Sequence, residues 1–216
     1  MRYDAVLFDM DGTVLDTLED LTDAVNRALE EFALPAVSRK RVRASLGNGA
    51  ARLIHRCLPE NTAPELEAKV LAFYMPWYGA HCRIKTRPYE GVVPLMEELR
   101  QAGVKLAVIS NKPDGAVHEL AECFFPGLLE AAVGEKPGVP KKPDPASVLA
   151  AAELLDVRPE RCAYVGDSEV DVATAKNAGM TGVAVGWGFR DEPELLAAKP
   201  DHLASSVAEL KALLLD

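Results

Sequence analysis

Short apolar runs alternate with stretches of helical periodicity along most of this chain. Ala5-Val6-Leu7-Phe8 is the first run, bounded by charged residues. Lys105-Leu106-Ala107-Val108-Ile109, Ala131-Ala132-Val133, Ala163-Tyr164-Val165 and Gly182-Val183-Ala184-Val185 follow much later. Runs that are apolar at every position, rather than at alternate ones, suit a parallel sheet covered on both faces. Helical patterns lie between them over 93–101, 145–155 and 172–178. The first and third are closed by Gly103 and Gly179, glycine being the residue that most readily takes the left-handed turn after a helix. A last helix begins near Ser206, with Val207, Leu210, Leu213 and Leu214 on one face. The alternation predicts an α/β fold built on an open, doubly wound parallel sheet.

One interval breaks the rhythm. From Thr17 to Arg87 no strand pattern appears. Leu21, Val25, Ala28, Leu29 and Phe32 recur at helical spacing, as do Leu66, Val70, Phe73 and Trp77. Pro35, Gly47-Asn48-Gly49 and Pro59 punctuate the segment, and Arg87-Pro88-Tyr89-Glu90-Gly91 returns the chain to the alternating pattern. We therefore expect two domains: an α/β core over 1–16 and 88–216, and a small α-helical cap over 17–87 inserted after the first strand.

Composition narrows the partners. With 216 residues, 49% hydrophobic and 26% charged, the chain has ordinary globular composition and length enough for a full core. Its 33 acidic residues outnumber 24 basic ones, for a net charge of -9, and such a surface repels nucleic acid. The densest basic run, Arg39-Lys40-Arg41 with Arg43, reads as the solvated face of a short helix. Cys57, Cys82, Cys123 and Cys162 have neither zinc-ligand nor redox spacing and read as thiols in a reducing compartment. No apolar leader core follows Met1 and no apolar run reaches spanning length, so no membrane partner is expected and the cytoplasm is the expected location. The sequence leaves oligomeric state open.

Ligands of an open α/β sheet bind beyond the carboxyl ends of its strands, so the residues at those ends carry the chemistry. After the first strand stands Asp9-Met10-Asp11-Gly12-Thr13, and after the second Ser110-Asn111-Lys112. Lys142-Pro143-Asp144-Pro145 follows the third, and Gly166-Asp167, then Asp171, follow the fourth. Taken singly, each has a plainer role. Asp11-Gly12 is a good turn, Ser110 a good helix cap, Asp171 a favourable residue at a helix amino terminus, and Lys142 an ordinary loop lysine. Together, at successive ends of one sheet, they predict a site. Two like charges about 4 Å apart repel by about 4 kcal/mol at an effective dielectric near 20, so a bound cation is expected among the carboxylates. Oxygen-only donors select a hard ion, magnesium before zinc.

The motifs Asp9-Met10-Asp11-Gly12-Thr13-Val14, Ser110, Lys142-Pro143-Asp144-Pro145 and Gly166-Asp167-Ser168-Glu169-Val170-Asp171 resemble, in order, the four motifs of the haloacid dehalogenase-like hydrolase superfamily. Leu46-Gly47-Asn48-Gly49-Ala50 and Val108-Ile109-Ser110-Asn111-Lys112-Pro113 are most similar to its phosphoglycolate phosphatase group. Val14-Leu15-Asp16-Thr17 stands where the family usually has Leu-Val-Asp-Ser, a departure at no catalytic position. The resemblance implies a magnesium-dependent phosphatase for a small phosphorylated metabolite, 2-phosphoglycolate first. It assigns Asp9 as nucleophile and Asp11 as general acid and base. Ser110 and Lys142 would hold the phosphoryl oxygens. Asp9, Asp167, the Asp11 carbonyl and Asp171 would hold the metal. Gly12 would let the backbone approach the phosphate. Asn111, Gly47, Asn48, Gly49 and Arg52 stand as substrate-side candidates, Arg52 as the cation for a substrate carboxylate. A sugar-phosphate mutase or an inorganic pyrophosphatase of the same superfamily fits these motifs too. A phosphoacceptor receiver domain shares the acidic site but lacks a helical cap.

Overall fold

The computed structural model describes residues 2–215. The first apolar run forms β1 (Ala5–Phe8). A short β2 (Leu15–Asp16) then leads into four helices, α1 (Leu18–Glu31), α2 (Arg39–Ser45), α3 (Ala50–Cys57) and α4 (Pro64–His81). The chain returns through β3 (Arg87–Pro88), which pairs antiparallel with β2, so the helical segment leaves and rejoins at one point. Strands and helices then alternate: α5 (Val92–Gln101), β4 (Lys105–Pro113), α6 (Asp114–Phe124), β5 (Ala131–Glu135), α7 (Ala146–Leu154), β6 (Cys162–Gly166), α8 (Glu169–Ala178), β7 (Thr181–Val185), α9 (Glu192–Ala198), β8 (His202–Ala204) and α10 (Val207–Leu215).

Six of these strands form one parallel sheet in the order β5-β4-β1-β6-β7-β8. Alternate residues of β1 feed its two faces. Val6 and Phe8 pack in a layer with Leu95 and Met96 of α5, Val117 and Leu120 of α6, and Leu210 and Leu214 of α10. Ala5 and Leu7 face Val148 and Ala151 of α7 and Ala175 and Ala178 of α8. Each fully buried valine or leucine contributes about 1.5–3 kcal/mol, which is why the strands read as unbroken apolar runs. Strand order reverses on either side of β1, so a crevice opens beyond the carboxyl ends of β1, β4 and β6.

Several elements differ from the sequence reading. β8 is three residues long and includes His202, too short and too polar to register as an apolar run. β4 continues through Ser110, Asn111 and Lys112, with its register against β5 shifting after Ile109. α8 starts at Glu169, because Ser168 and Asp171 form a reciprocal cap, and it ends at Gly179 with φ +68°. In α4 the deeply buried stripe is Val70, Tyr74 and Tyr78, whereas Leu66, Phe73 and Trp77 are only partly covered. Tyr74 and Tyr78 lie outside the spacing read from the sequence, and both line the cavity described below. Arg39, Lys40 and Arg41 are exposed on α2, as a solvated face requires, but Arg43 reaches across to Asp191 at 2.9 Å. Among the described residues no helix is long and apolar enough to cross a membrane.

Candidate active site

Three buried carboxylates meet at the crevice. Asp9 directly follows β1, and its backbone N–H is held by the Val165 carbonyl of β6 at 2.8 Å. Asp167 follows β6. Asp171 lies in the first turn of α8, fixed by Ser168, whose Oγ and N–H donate to Asp171 Oδ2 at 2.6 and 3.1 Å. One carboxylate oxygen from each of the three lies within 4.8 Å of the others. Lys142, from the loop between β5 and α7, reaches into this group with its side chain 3% exposed. Its Nζ donates at 2.8 Å to each of Asp9 Oδ1, Asp171 Oδ1 and the Tyr164 hydroxyl. Three carboxylates against one ammonium leave a buried group two negative charges in excess.

The electrostatics follow from that imbalance. Burial, with the Asp171 charge beside it, pushes the Asp9 carboxyl up to about 6 even though Lys142 pulls it down. Burial and the charges of Asp171 and Asp9 push Asp167 well above the ordinary carboxylate range. Burial opposes the charge of Lys142, but Asp171 and Asp9 outweigh it and hold its ammonium well above the usual lysine range. A divalent cation is the group that balances two excess charges among oxygen donors. This cluster can therefore hold a metal ion, and among the described residues no other set of His, Cys, Asp or Glu side chains is grouped this way. Both oxygens of Asp171 already accept hydrogen bonds from Lys142 and Ser168, whereas Asp9 spends only Oδ1 on Lys142.

Asp167 sits in a cradle that admits no extra atom. A Cβ on Gly12, whose φ is +83°, would stand 2.2 Å from Asp167 Oδ2, and one on Gly188 would stand 2.3 Å from its Cβ. The Phe189 N–H donates to Asp167 Oδ2 at 2.6 Å. Gly12 thus acts on a carboxylate here, by letting Asp167 come close to the first turn. We expect Gly12→Ala to displace Asp167 and to weaken binding of a divalent ion at least tenfold, read by calorimetric titration of the folded variant.

The remaining sequence candidates separate into two groups. Asp11, Ser110, Asn111, Gly47 and Gly49 line the same cavity as Asp9, Lys142, Asp167 and Asp171. The Asp11 carboxylate accepts from Thr17 Oγ1 at 2.7 Å and from Lys112 Nζ at 2.7 and 2.9 Å, outside the three-carboxylate group. Asn111 spends its amide on protein. It donates to the Gly47 and Lys142 carbonyls and accepts from the Lys142 N–H, so it ties the loop before α3 to the Lys142 loop. Asn48 and Arg52 do not line the cavity. Arg52 lies on the exposed face of α3, because Leu53 and Ile54 turn that helix's apolar side inward.

Two cations that the sequence reading left without a role stand at this site. Lys112 is two residues past Ser110, the same-face spacing of a strand, and that spacing was the available signal. Arg190 lies just beyond the end of β7, a further strand of the same sheet. It is 8% exposed, pairs with Glu169 at 2.8 Å and donates to the Leu46 carbonyl at 2.9 Å. Arg190, Asn111 and Arg43 together hold the loop between α2 and α3, and the end of α2 before it, against the sheet edge. Tyr74 and Tyr78 of α4, their rings stacked 5.6 Å apart, close the cavity from above.

Comparison with known proteins places the chain as a whole. A family model described as haloacid dehalogenase-like hydrolase matches residues 6–185. The chain is 34% identical to a phosphoglycolate phosphatase of Chromobacterium violaceum, over 97% of this chain and 96% of that one. A solved structure from Lactobacillus delbrueckii subsp. bulgaricus superposes with a TM-score of 0.93 at 36% identity, covering 99% of both chains. CbbY from Rhodobacter sphaeroides, solved in complex with phosphate, superposes with a TM-score of 0.81 at 26% identity over 96% of each chain.

Proposed function

The chain belongs to the haloacid dehalogenase-like hydrolases, in their phosphoglycolate phosphatase-like group, and from that membership we propose how its residues work. It is a phosphoric monoester hydrolase. We assign it magnesium as metal, 2-phosphoglycolate as substrate and the cytoplasm as its place of work. We also divide it into an α/β core over 1–16 and 88–216 and a helical cap over 17–87. The observation that carries the reading is the buried group of Asp9, Asp167 and Asp171 around Lys142, two charges short of neutrality at the sheet's carboxyl edge.

In this reading Asp9 attacks phosphorus as the bond to the leaving oxygen breaks, and Asp11 gives that oxygen its proton. Water then attacks the aspartyl-phosphate, Asp11 takes the water's proton, and inorganic phosphate leaves with Asp9 restored. The pairing of Asp11 with Lys112 and Thr17 suits the carboxylate that accepts the proton in this second step. Ser110 and Lys142 hold the phosphoryl oxygens, and Lys142 offsets charge that builds in the transition state. Asp9 and Asp167, with the Asp11 carbonyl, would hold the magnesium, whose positive charge would neutralise phosphoryl oxygen. Asp171, with both oxygens taken, supports Lys142 instead of competing for the ion. Gly47, Gly49 and the tyrosines of α4 exclude water from the closed site.

The test is phosphate release from 2-phosphoglycolate before and after dialysis against a chelator. Activity should vanish without metal and return on adding magnesium. Undiminished turnover in the metal-free protein would refute the metal assignment.

A further inference from the structure

The phosphoryl-binding residues cannot distinguish one leaving group from another, so selectivity has to lie in the rest of the cavity wall. That wall includes Leu21, Leu53, Tyr74, Tyr78 and Lys112. The cavity has three cationic side chains, and two are held by groups other than Asp11. Lys142 gives its three donors to Asp9, Asp171 and Tyr164, and Arg190 is bound to Glu169 and the Leu46 carbonyl on the Asp167 side. Lys112 is the third. Its side chain is 1% exposed, its Nζ lies 2.7 Å from Asp11 Oδ1, and the same nitrogen is 4.6 Å from the centre of the Tyr78 ring. Tyr78 lines the cavity, and its buried hydroxyl has no hydrogen-bond partner. The buried hydroxyls of Tyr3 and Thr86, outside the cavity, are unpaired in the same way, so it is the ring of Tyr78 that bears on the site.

Resting on the phosphatase reading above, we infer that Lys112 is a specificity-determining residue that receives an anionic leaving group. Its ligand would be a carboxylate one carbon away from the ester oxygen. Distances support the match. A proton passing from Asp11 puts the ester oxygen about 3 Å from that carboxyl. Lys112, hydrogen-bonded to the same carboxyl, is then within about 6 Å of the ester oxygen. In 2-phosphoglycolate the carboxylate oxygens lie about 3 Å from the ester oxygen, which leaves about 3 Å, one charge-assisted hydrogen bond, to Lys112. An uncharged alkyl group at the same place would leave Lys112 without the partner it gains. Arg52, exposed and outside the cavity, has no part in this.

The test compares kcat/KM for 2-phosphoglycolate and for ethyl phosphate, which carries a methyl group in place of the carboxylate. Wild-type, Lys112→Met and Arg52→Ala proteins are assayed with magnesium, after circular dichroism has shown each to be folded. Wild type should prefer 2-phosphoglycolate by about 10–100-fold. In Lys112→Met that preference should fall to within about threefold, mostly through KM. Arg52→Ala should keep the wild-type ratio. If Lys112 serves only to position Asp11, both esters lose equally, the ratio stays, and the inference is overturned while the phosphatase reading stands. Turnover of neither ester by wild type overturns that reading and the inference with it. Should Lys112→Met not fold, inhibition of the wild-type enzyme decides. Glycolate should inhibit at least tenfold more strongly than ethanol, and equal inhibition overturns the inference.

Discussion

Asp9→Asn is expected to lower phosphate release by roughly 10⁴–10⁶-fold, the scale on which covalent enzymes lose activity when the nucleophile is removed. Asparagine is nearly the same size and shape, so the fold should survive, and Lys142 keeps an oxygen to bind. Intact-mass analysis after rapid mixing with substrate should find a phosphorylated species in wild type and none in the variant. The same substitution should stabilise the metal-free protein at neutral pH. The Asp9 carboxyl is pushed up to about 6, from an ordinary value of 3.8, by burial and by Asp171, against the pull of Lys142. A carboxyl raised in the folded state contributes stability that is present below its unfolded value and lost as pH rises through its folded one. Metal-free wild type should therefore lose stability between about pH 4 and pH 6, on the order of 2–3 kcal/mol from this group. The variant should lose less over the same interval. Denaturant midpoints at several pH values would show it, and wild-type activity in Asp9→Asn would remove Asp9 from the chemistry.

Much of this architecture was legible because burial on two faces writes itself into a sequence. β1, β4, β6 and β7 had to be apolar at nearly every position, and polar residues directly after such runs had nowhere to go but the crevice. That logic reached Asp9, Ser110, Lys142, Asp167 and Asp171, which the structure places together around one cavity. It could not reach β8, whose three residues carry too little pattern. Nor could it reach the cap side of the site. A helical wheel for α4 favoured Phe73 and Trp77, yet Tyr74 and Tyr78 are buried because they face the cavity across from Lys112. Arg52 stands one helical turn beyond Asn48, but Asn48 itself does not line the cavity, and Leu53 and Ile54 carry the inward face of α3. Arg190 lies 144 residues from the Leu46 carbonyl it binds, and single-sequence periodicity carries no signal over such a separation.

Lys142→Met should damage both the fold and the chemistry, and the two losses can be pulled apart. Methionine fills nearly the same volume but removes the one ammonium that Asp9, Asp171 and Tyr164 share at 2.8 Å. Breaking a buried ion pair from one side typically costs about 3–5 kcal/mol, because the partner is left charged and unsolvated. For a chain of this size that corresponds to a fall of roughly 10 °C in Tm. Asp171 is 2% exposed, and the neighbouring Asp9 and Asp167 carboxylates leave its charge no relief. Adding Asp171→Asn should therefore recover a good part of the lost stability, because it removes the carboxylate that Lys142 left stranded. Activity should not return with it. If Lys142 grips the phosphoryl oxygens, the single and double variants should both lose at least about 10²–10³-fold in kcat, the scale for removing one donor aimed at developing charge. A double-mutant cycle in Tm would thus give strong coupling, while the kcat of the double variant stays at that of Lys142→Met. Recovery of turnover alongside stability would mean that Lys142 only holds the carboxylates apart, and that the phosphoryl group is bound by something else.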